Sequence, residues 1–431
     1  MNMLAPVPHL TTALSGPLLA LEQTLLDRAA DIEAWFRASF RETPAPFYCS
    51  VDLRNAGFKL APVDTNLFPG GFNNLNPAFE ALCVQALQIA IERVCPTAKG
   101  ILLVPENHTR NKFYLENVAA LHGLIRKAGF NVHIGSLLPD LKAPQQLRLD
   151  SGRELTLEPL RRDGQRLMVD GFTPCSVLLN NDLSGGVPEI LQGVEQPIMP
   201  PLALGWHSRL KTQHFGIYRE VTTEFGELLD LDPWLVDPLF RNCGQINFLK
   251  REGEECLAAN VELLLADIRA KYKEYGVTEE PFVIVKADAG SSPLGLKTIR
   301  DVKDLADLSR CARHLPASRP VADVILQEGV PTFERVNDAV AEPVVTMIDR
   351  YVVGGYYRVN AGRGIDENLD APGASYVPLA FAESNQLPRH GAKPGASAPN
   401  RFYMYGVIAR LAMVAASYEL EATDPNAEVY E

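Results

Sequence analysis

Val283 to Asp301 reads VIVKADAGSSPLGLKTIRD, and the reading of the whole chain turns on it. Phe282 to Val285 are apolar and mostly β-branched, the pattern of a buried strand, and Lys286 ends that strand with one positive charge. The residues that follow are small and include Gly290, Ser291, Ser292 and Gly295. A loop of such residues can fold over phosphates, because its backbone N–H groups approach the oxygens closely. No Gly-Lys-Ser/Thr follows, so this is not a Walker loop. Lys286 would meet the α- and β-phosphates as a point charge. Taken alone, the pattern is as much that of any lysine-ended strand before a turn, and what lies on either side decides.

C-terminal to it the parts follow in a telling order. Asp301 to His314 reads as a helix. Val324 to Gln327 reads as a strand, and Gln327, Glu328, Gly329 and Val330 form a hinge suited to holding adenine by backbone and ribose by the Glu328 carboxylate. MIDRYVVGGYYRV (347–359) reads as a hairpin turning near Gly354-Gly355 or just before it, with Arg358 pointing into a cleft. Asn368 follows in the loop ENLDAPG. Glu383 and Asn385 end an expected strand from Tyr376 to Ala382, two apart and therefore on one face, as hard-oxygen ligands for Mg2+ should be. Asp349 and Glu367 are further candidates for that metal.

N-terminal to it, helical and strand patterns alternate. Leu18–Phe40, Phe79–Val94 and Asn117–Lys127 have helix-spaced apolar residues; Phe47–Leu53, Gly100–Val104 and Asn131–Ile134 read as strands. That order predicts an open, mostly parallel sheet with helices on its faces. Residues 145–170 read as an antiparallel hairpin, and Cys175–Leu179 resumes the sheet, ending at Asn180-Asn181-Asp182. The proline-rich piece Gln196–Leu202 is the expected link between a first domain, residues 1–200, and a second, residues 201–431. Two polar segments adjoin strand ends, where α/β sheets bind ligands. In them Arg54, Lys59 and Arg110 are candidates for substrate carboxylates, and Asp52 and Glu106 for an α-ammonium. Asn107 is either a substrate contact or a helix cap.

The bulk numbers narrow the class. With 41 basic and 53 acidic residues the net charge is −12, and no basic run occurs, so nucleic acid is not an expected partner. Prolines and the lack of a basic cluster argue against a signal peptide in residues 1–20. Arg410 and Glu419 inside the apolar stretch Phe402–Leu420 favour a buried helix over a membrane span. Seven cysteines without a CxxC pair read as reduced thiols of a soluble cytoplasmic protein. His207, His214 and His390 show no metal-binding spacing, and Phe402, Tyr403 and Tyr405 read as helix core.

Lysine strand, small-residue loop, hinge, arginine hairpin and asparagine loop come in the order of the ATP-grasp superfamily. More closely, the stretches VDLRNAGFKLAPVDTNLFPGGFNNL, PENHTRNKFYLENV, VKADAG, ERVNDAVAEPVV, YRVNAGRGIDENL, LAFAESNQLPRH and RFYMYGVIARLAMVAASYELEATD resemble the proteobacterial glutamate–cysteine ligase family, from about residue 45 to 425. The resemblance implies an ATP-grasp fold of α/β class, glutathione-synthetase-like, preceded by a pre-ATP-grasp domain with an open, mostly parallel sheet that binds substrate. It also implies ATP and Mg2+, glutamate and cysteine, a γ-glutamyl phosphate intermediate, and the first step of glutathione synthesis. Lys286, Arg358 and Asn368 would carry the catalysis. Pro293 has no N–H to offer a phosphate, so a related ligase with another amine acceptor, or a catalytically weak ATP-binding regulatory protein, are the alternative readings.

Overall fold

The computed structural model describes residues 10–11, 16–108, 111–247, 250, 252–290, 297–306, 321–379 and 402–423. Three main sheets organise them. The first contains Ile198–Met199, Ser176–Leu179, Gly100–Val104, Asn131–Ser136, Glu154–Pro159 and Gln145–Arg148, in that spatial order. All neighbours in it run parallel except the last pair. Gly100–Val104 is buried at every position, as a central parallel strand covered on both faces must be. The expected link at Gln196–Leu202 thus contributes an edge strand. Helices Glu80–Val94 and Lys112–Lys127 pack on the sheet through Leu87, Ile91, Val118 and Leu121.

The second sheet has seven strands, and here the structure corrects the sequence reading. Tyr48–Asn55, expected in the parallel sheet, runs antiparallel to Ala339–Ile348 and to Leu60–Asn66. Its eight residues are all buried, so hydrophobic pattern alone could not say which sheet it joins. Ala339–Ile348 also pairs with Tyr351–Asn360, which carries Ser375–Pro378 on its other edge. The hairpin turns at Asp349-Arg350, with Asp349 at φ +50°, and not at Gly354-Gly355. Those two glycines lie within the strand where the register shifts, and a Cβ on Gly355 would sit 2.3 Å from the Val344 carbonyl oxygen.

The third sheet is antiparallel and small: Phe240–Asn247, Val321–Glu328, Val283–Ala287 and Lys297–Ile299. Helix Glu254–Tyr275 covers it through Leu257, Val261, Leu264 and Ile268. Of the expected helix Asp301–His314 only the start is described, a 3-10 turn Val302–Asp304 closed by a capping box from Asp301. The expected strand from Tyr376 is described as Ser375–Pro378, with Leu379 already outside it; residues 380–382 lie outside the described residues, as do Glu383, Asn385 and the loop 390–399.

One helix ties the molecule together. Phe402–Glu421 is buried nearly all round, including Phe402, Tyr403 and Tyr405, and lies against Tyr48–Asn55, Leu60–Asn66 and helix Lys211–Leu229. Its two buried charges are paired. Arg410 makes a two-pronged contact with Glu33 at 2.7 and 2.8 Å. Glu419 accepts from Arg209 at 2.7 and 3.0 Å and from His214. Among the described residues no helix is long and apolar enough to cross a membrane.

Candidate active site

A cleft of about 430 Å³ opens between the second and third sheets. It continues into a second cavity of about 680 Å³ above the ends of the parallel strands. Asp52, Asn66, Asp182, Ser184, Trp206 and Arg358 line both. One end of the combined space is therefore built by the lysine strand and hinge, and the other by the parallel sheet.

At the first end Lys286 points from its strand into the cleft, donating to the Val63 carbonyl and to Gln327 Oε1, both at 2.6 Å. Its ammonium is stripped of water by burial, which pushes its pKa down to about 8, while Asp64 opposes the shift and Lys211 adds to it. Lys211 stands over the Trp206 ring at 4.3 Å and donates to the Gly290 carbonyl at 3.2 Å. Burial lowers its pKa as well. Gly290 takes φ +69°, where a side chain would be strained and would crowd the Trp206 carbonyl. Asp288, between Lys286 and Gly290, takes the backbone and hydroxyl hydrogens of Thr212 at 2.8 and 2.7 Å. It thus satisfies the first turn of helix Lys211–Leu229, whose own preceding residue, Leu210, cannot. Two cations, Lys286 and Lys211, consequently meet at this end, a setting for polyphosphate. Ser291, Ser292 and Gly295 lie outside the described residues.

The hinge differs from its expected role. Glu328 reaches the cleft floor, but its carboxylate is only 1% exposed and already occupied. Lys59 Nζ donates to it at 2.7 Å, the Leu239 N–H at 2.9 Å and Trp234 Nε1 at 3.2 Å. It is not free for a ribose, and Lys59, fully buried on it and 4.4 Å from the Trp234 ring, is not free for a substrate carboxylate. The Glu328 and Gly329 N–H groups are bonded to Leu239 and Phe282 carbonyls. Val330 gives its carbonyl to Arg54 at 3.3 Å, and Gln327 is engaged by Lys286. Of the hinge side chains, Gln327 keeps on the cleft wall a buried Nε2 with no hydrogen-bond partner among the described residues.

Where the two cavities join, four charged side chains form one buried network. Arg358 Nη1 donates to Asp52 Oδ2 at 2.7 Å and to Glu342 Oε1 at 2.6 Å. Arg54 Nε donates to Glu342 Oε2 at 2.8 Å. Asp52, in the expected strand, and Arg54, just beyond its expected end, are two apart on Tyr48–Asn55 and so face the same side. Arg54 spends its remaining donors on Ile365 and Glu367 carbonyls, which makes it a brace and not a carboxylate binder. Thr298 and Arg300 hold Asp366 from the opposite sheet, so the loop carrying Glu367 and Asn368 is clamped from both sides. Asn368 lines the cleft and is half-buried; it closes a local turn with Asp370 at 3.0 and 3.1 Å. Arg358 Nε has no hydrogen-bond partner and lies 4.0 Å from Asp370. Two cations and two carboxylates sum to zero, but the two arginines hold Glu342 low, against its burial, whereas burial leaves Asp52 raised to about 6.

At the second end Glu106 Oε1 accepts the Asp182 N–H at 2.9 Å, and burial raises the Glu106 carboxyl. Tyr114 donates to Asn180 Oδ1 at 2.6 Å and accepts the Glu106 N–H at 2.7 Å. Asn107 is exposed and does not line either cavity; the cap of helix Lys112–Lys127 is Asn111, which accepts the Tyr114 N–H at 3.1 Å. Arg110 lies outside the described residues.

The metal candidates separate. Asp349 sits at the hairpin turn, paired with Arg93. Seven strand residues beyond Glu342, about 23 Å at the usual rise, it is out of reach of the cleft. Glu367 lines the cleft, its carboxyl held low by the Gly364 N–H at 2.6 Å. Among the described residues no group of three or more His, Cys, Asp or Glu side chains could hold a metal by itself.

Sequence reasoning overlooked Glu342, Trp206 and Lys211. A lone carboxylate inside the apolar strand AVAEPVV was a usable signal, since a buried acid needs a partner. Trp206 and Lys211 carried none, because one reaches the cleft from a connecting turn and the other from the first position of a helix.

A lysine strand, a cationic helix start and a buried arginine network beside a second polar cavity define an ATP-grasp ligase. Glutamate-cysteine ligase (GshA) is the family whose model matches, over residues 22–420, and the chain belongs to it. It is 56% identical to the "Putative gamma-glutamylcysteine synthetase" of Methylobacillus flagellatus KT, whose crystal structure aligns with TM-score 0.90 over 97% of this chain and 99% of that one. A glutathione synthetase like-effector of Globodera pallida aligns at 12% identity and TM-score 0.36, over 84% of this chain and 79% of that one. D-alanyl-alanine synthetase A of Vibrio cholerae does so at 12% and 0.32, over 73% and 81%. No curated protein matches the chain.

Proposed function

We propose that this protein joins glutamate to cysteine at the expense of ATP, in two steps within the continuous cleft. The glutamate γ-carboxylate attacks the γ-phosphorus, forming γ-glutamyl phosphate and ADP. The cysteine amine then attacks the acyl carbon and phosphate leaves. The carrying observation is the shared wall: Asp52, Asp182 and Arg358 face both the lysine end and the parallel-sheet end. A phosphoryl group passing from one bound molecule to another needs such a junction.

Lys286 and Lys211 hold the polyphosphate. Arg358 stands at the junction, where charge develops on the transferred phosphoryl group. Asn368 lies on the braced loop at the mouth and Glu106 at the amino-acid end. Mg2+ would spread phosphate charge; Glu367 suits it, with Glu383 and Asn385 as further ligands. A cytoplasmic location, where ATP is abundant, goes with this reading.

The test is ADP release with glutamate and a panel of amines, with products read by mass spectrometry. Cysteine-dependent ADP with γ-glutamylcysteine supports the reading. Preference for another amine makes the protein a different γ-glutamyl ligase. ATP binding without turnover on any amine overturns both.

A further inference from the structure

An amino acid arrives at neutral pH as an ammonium, which has no lone pair to attack an acyl phosphate. A ligase of this kind needs a proton acceptor beside the acyl carbon. We propose that Asp52 is that acceptor: it removes the proton from the incoming amine at the junction of the two cavities. The inference rests on the ligase reading above and adds a residue role to it.

Three observations carry it. Position is the first, since Asp52 lines both cavities and so lies where the two bound substrates must meet. Available lone pairs are the second. Arg358 holds Oδ2, and no other described side chain donates to this carboxylate. Asp182, the other acid on both cavity walls, and the two other buried acids of the cleft, Glu342 and Glu328, are committed elsewhere. Asp182 accepts the Ser184 N–H and hydroxyl, Glu342 is held by both arginines, and Glu328 by Lys59, Trp234 and the Leu239 N–H.

The third is the electrostatic setting. Asp52 is faced by Glu342 from one neighbouring strand, by Asp64 from the other, and by Arg358 across the sheet. Lys286 from the third sheet, and the hydroxyls of Tyr48, Tyr356 and Tyr376, complete its surroundings. Burial first, and then the two acids, raise its pKa to about 6 against the pull of Arg358. It is ionised at neutral pH, yet a stronger base than an exposed aspartate.

The step balances. One ammonium proton passes to Asp52, and the freed nitrogen lone pair forms the N–C bond. The C–O bond to phosphate breaks with its electron pair, and the departing phosphate takes the second nitrogen proton. Protonated Asp52 leaves the arginine network with one net positive charge, aimed at the phosphate while it departs, and later loses its proton to water through the open cleft.

Hydroxylamine separates this role from a structural one. It is neutral at pH 7 and traps γ-glutamyl phosphate as a hydroxamate without help from a base. Asp52→Asn keeps an acceptor for Arg358 and loses the basic group. In that variant, cysteine-dependent amide formation should fall at least about 100-fold, the lower range for a general base, while hydroxamate formation stays within a few-fold of wild type. Asp52→Ser should behave the same way, which guards against one substitution failing to fold. If the folded variants lose hydroxamate and amide in equal proportion, or lose neither, Asp52 is not the base. If the wild-type protein forms no hydroxamate from glutamate and ATP, the ligase reading itself fails, and this proposal with it.

Discussion

Lys286 offers a test in which the structure fixes both the sign and the size of the effect. Its ammonium has a pKa near 8, because burial removes its water. Phosphate needs the charged form. With a pKa of about 8, about nine-tenths of the free protein is competent at pH 7 and about one-tenth at pH 9, so the apparent Kd for ATP should rise about tenfold across that range. Bound phosphate holds the proton on the lysine, so the whole loss appears in binding. Lys286→Met keeps the apolar stem and removes the charge. At pH 7 it should bind about 10- to 150-fold more weakly, the equivalent of about 1.5–3 kcal/mol for a hydrogen bond to a charged group. Its affinity should then be flat from pH 7 to 9. Titration calorimetry at several pH values measures both quantities, and a thermal melt establishes that the variant is folded. Lys211 is the competing source of a pH slope, since burial lowers its pKa too; Lys211→Met should keep the slope, moved towards higher pH because Lys211 no longer depresses Lys286. A flat wild-type profile, or a slope that survives Lys286→Met and disappears in Lys211→Met, would refute the assignment.

Three further outcomes follow from the packing. Glu419 is held low, at about 2, chiefly by Arg209 and then His214, against its burial. Because its folded pKa is depressed, its stabilisation is complete above about pH 4.5 and is lost as pH falls towards 2, about 3 kcal/mol in all. Glu419→Gln leaves Arg209 buried without its counter-charge, so urea unfolding at pH 7 should show a loss of about 3–5 kcal/mol; no measurable loss would mean that Arg209 finds water or another partner. Gly329→Ala would place a Cβ 2.0 Å from the Phe282 ring, and a shift of the urea midpoint worth about 1–3 kcal/mol is expected. Arg54→Ala frees the Ile365–Glu367 loop from its brace, and KM for ATP should rise about tenfold in steady-state assays while the melting curve stays cooperative.

What the sequence determined by itself was local. Val283–Ala287 is a strand ending near a lysine because five successive residues carry that pattern, and Phe402–Glu421 is a buried helix because its apolar residues surround every face. The family could be recognised because such local patterns came in a fixed order. Partnerships were another matter. Lys59 and Glu328 are 269 positions apart, Arg54 and Glu342 288, and Asp52 and Arg358 306. Apart from Glu342, which drew no reading, each read as a free charge facing a ligand, and no spacing rule connects residues so distant. The tertiary structure alone decided that Tyr48–Asn55 leaves the parallel sheet for the antiparallel one. That pairing commits Lys59 to Glu328, and Arg54 to Glu342 and to the backbone. It also sets Asp52 and Arg358 together between the two cavities, because a buried charge must take its partner from whatever strand the fold brings beside it.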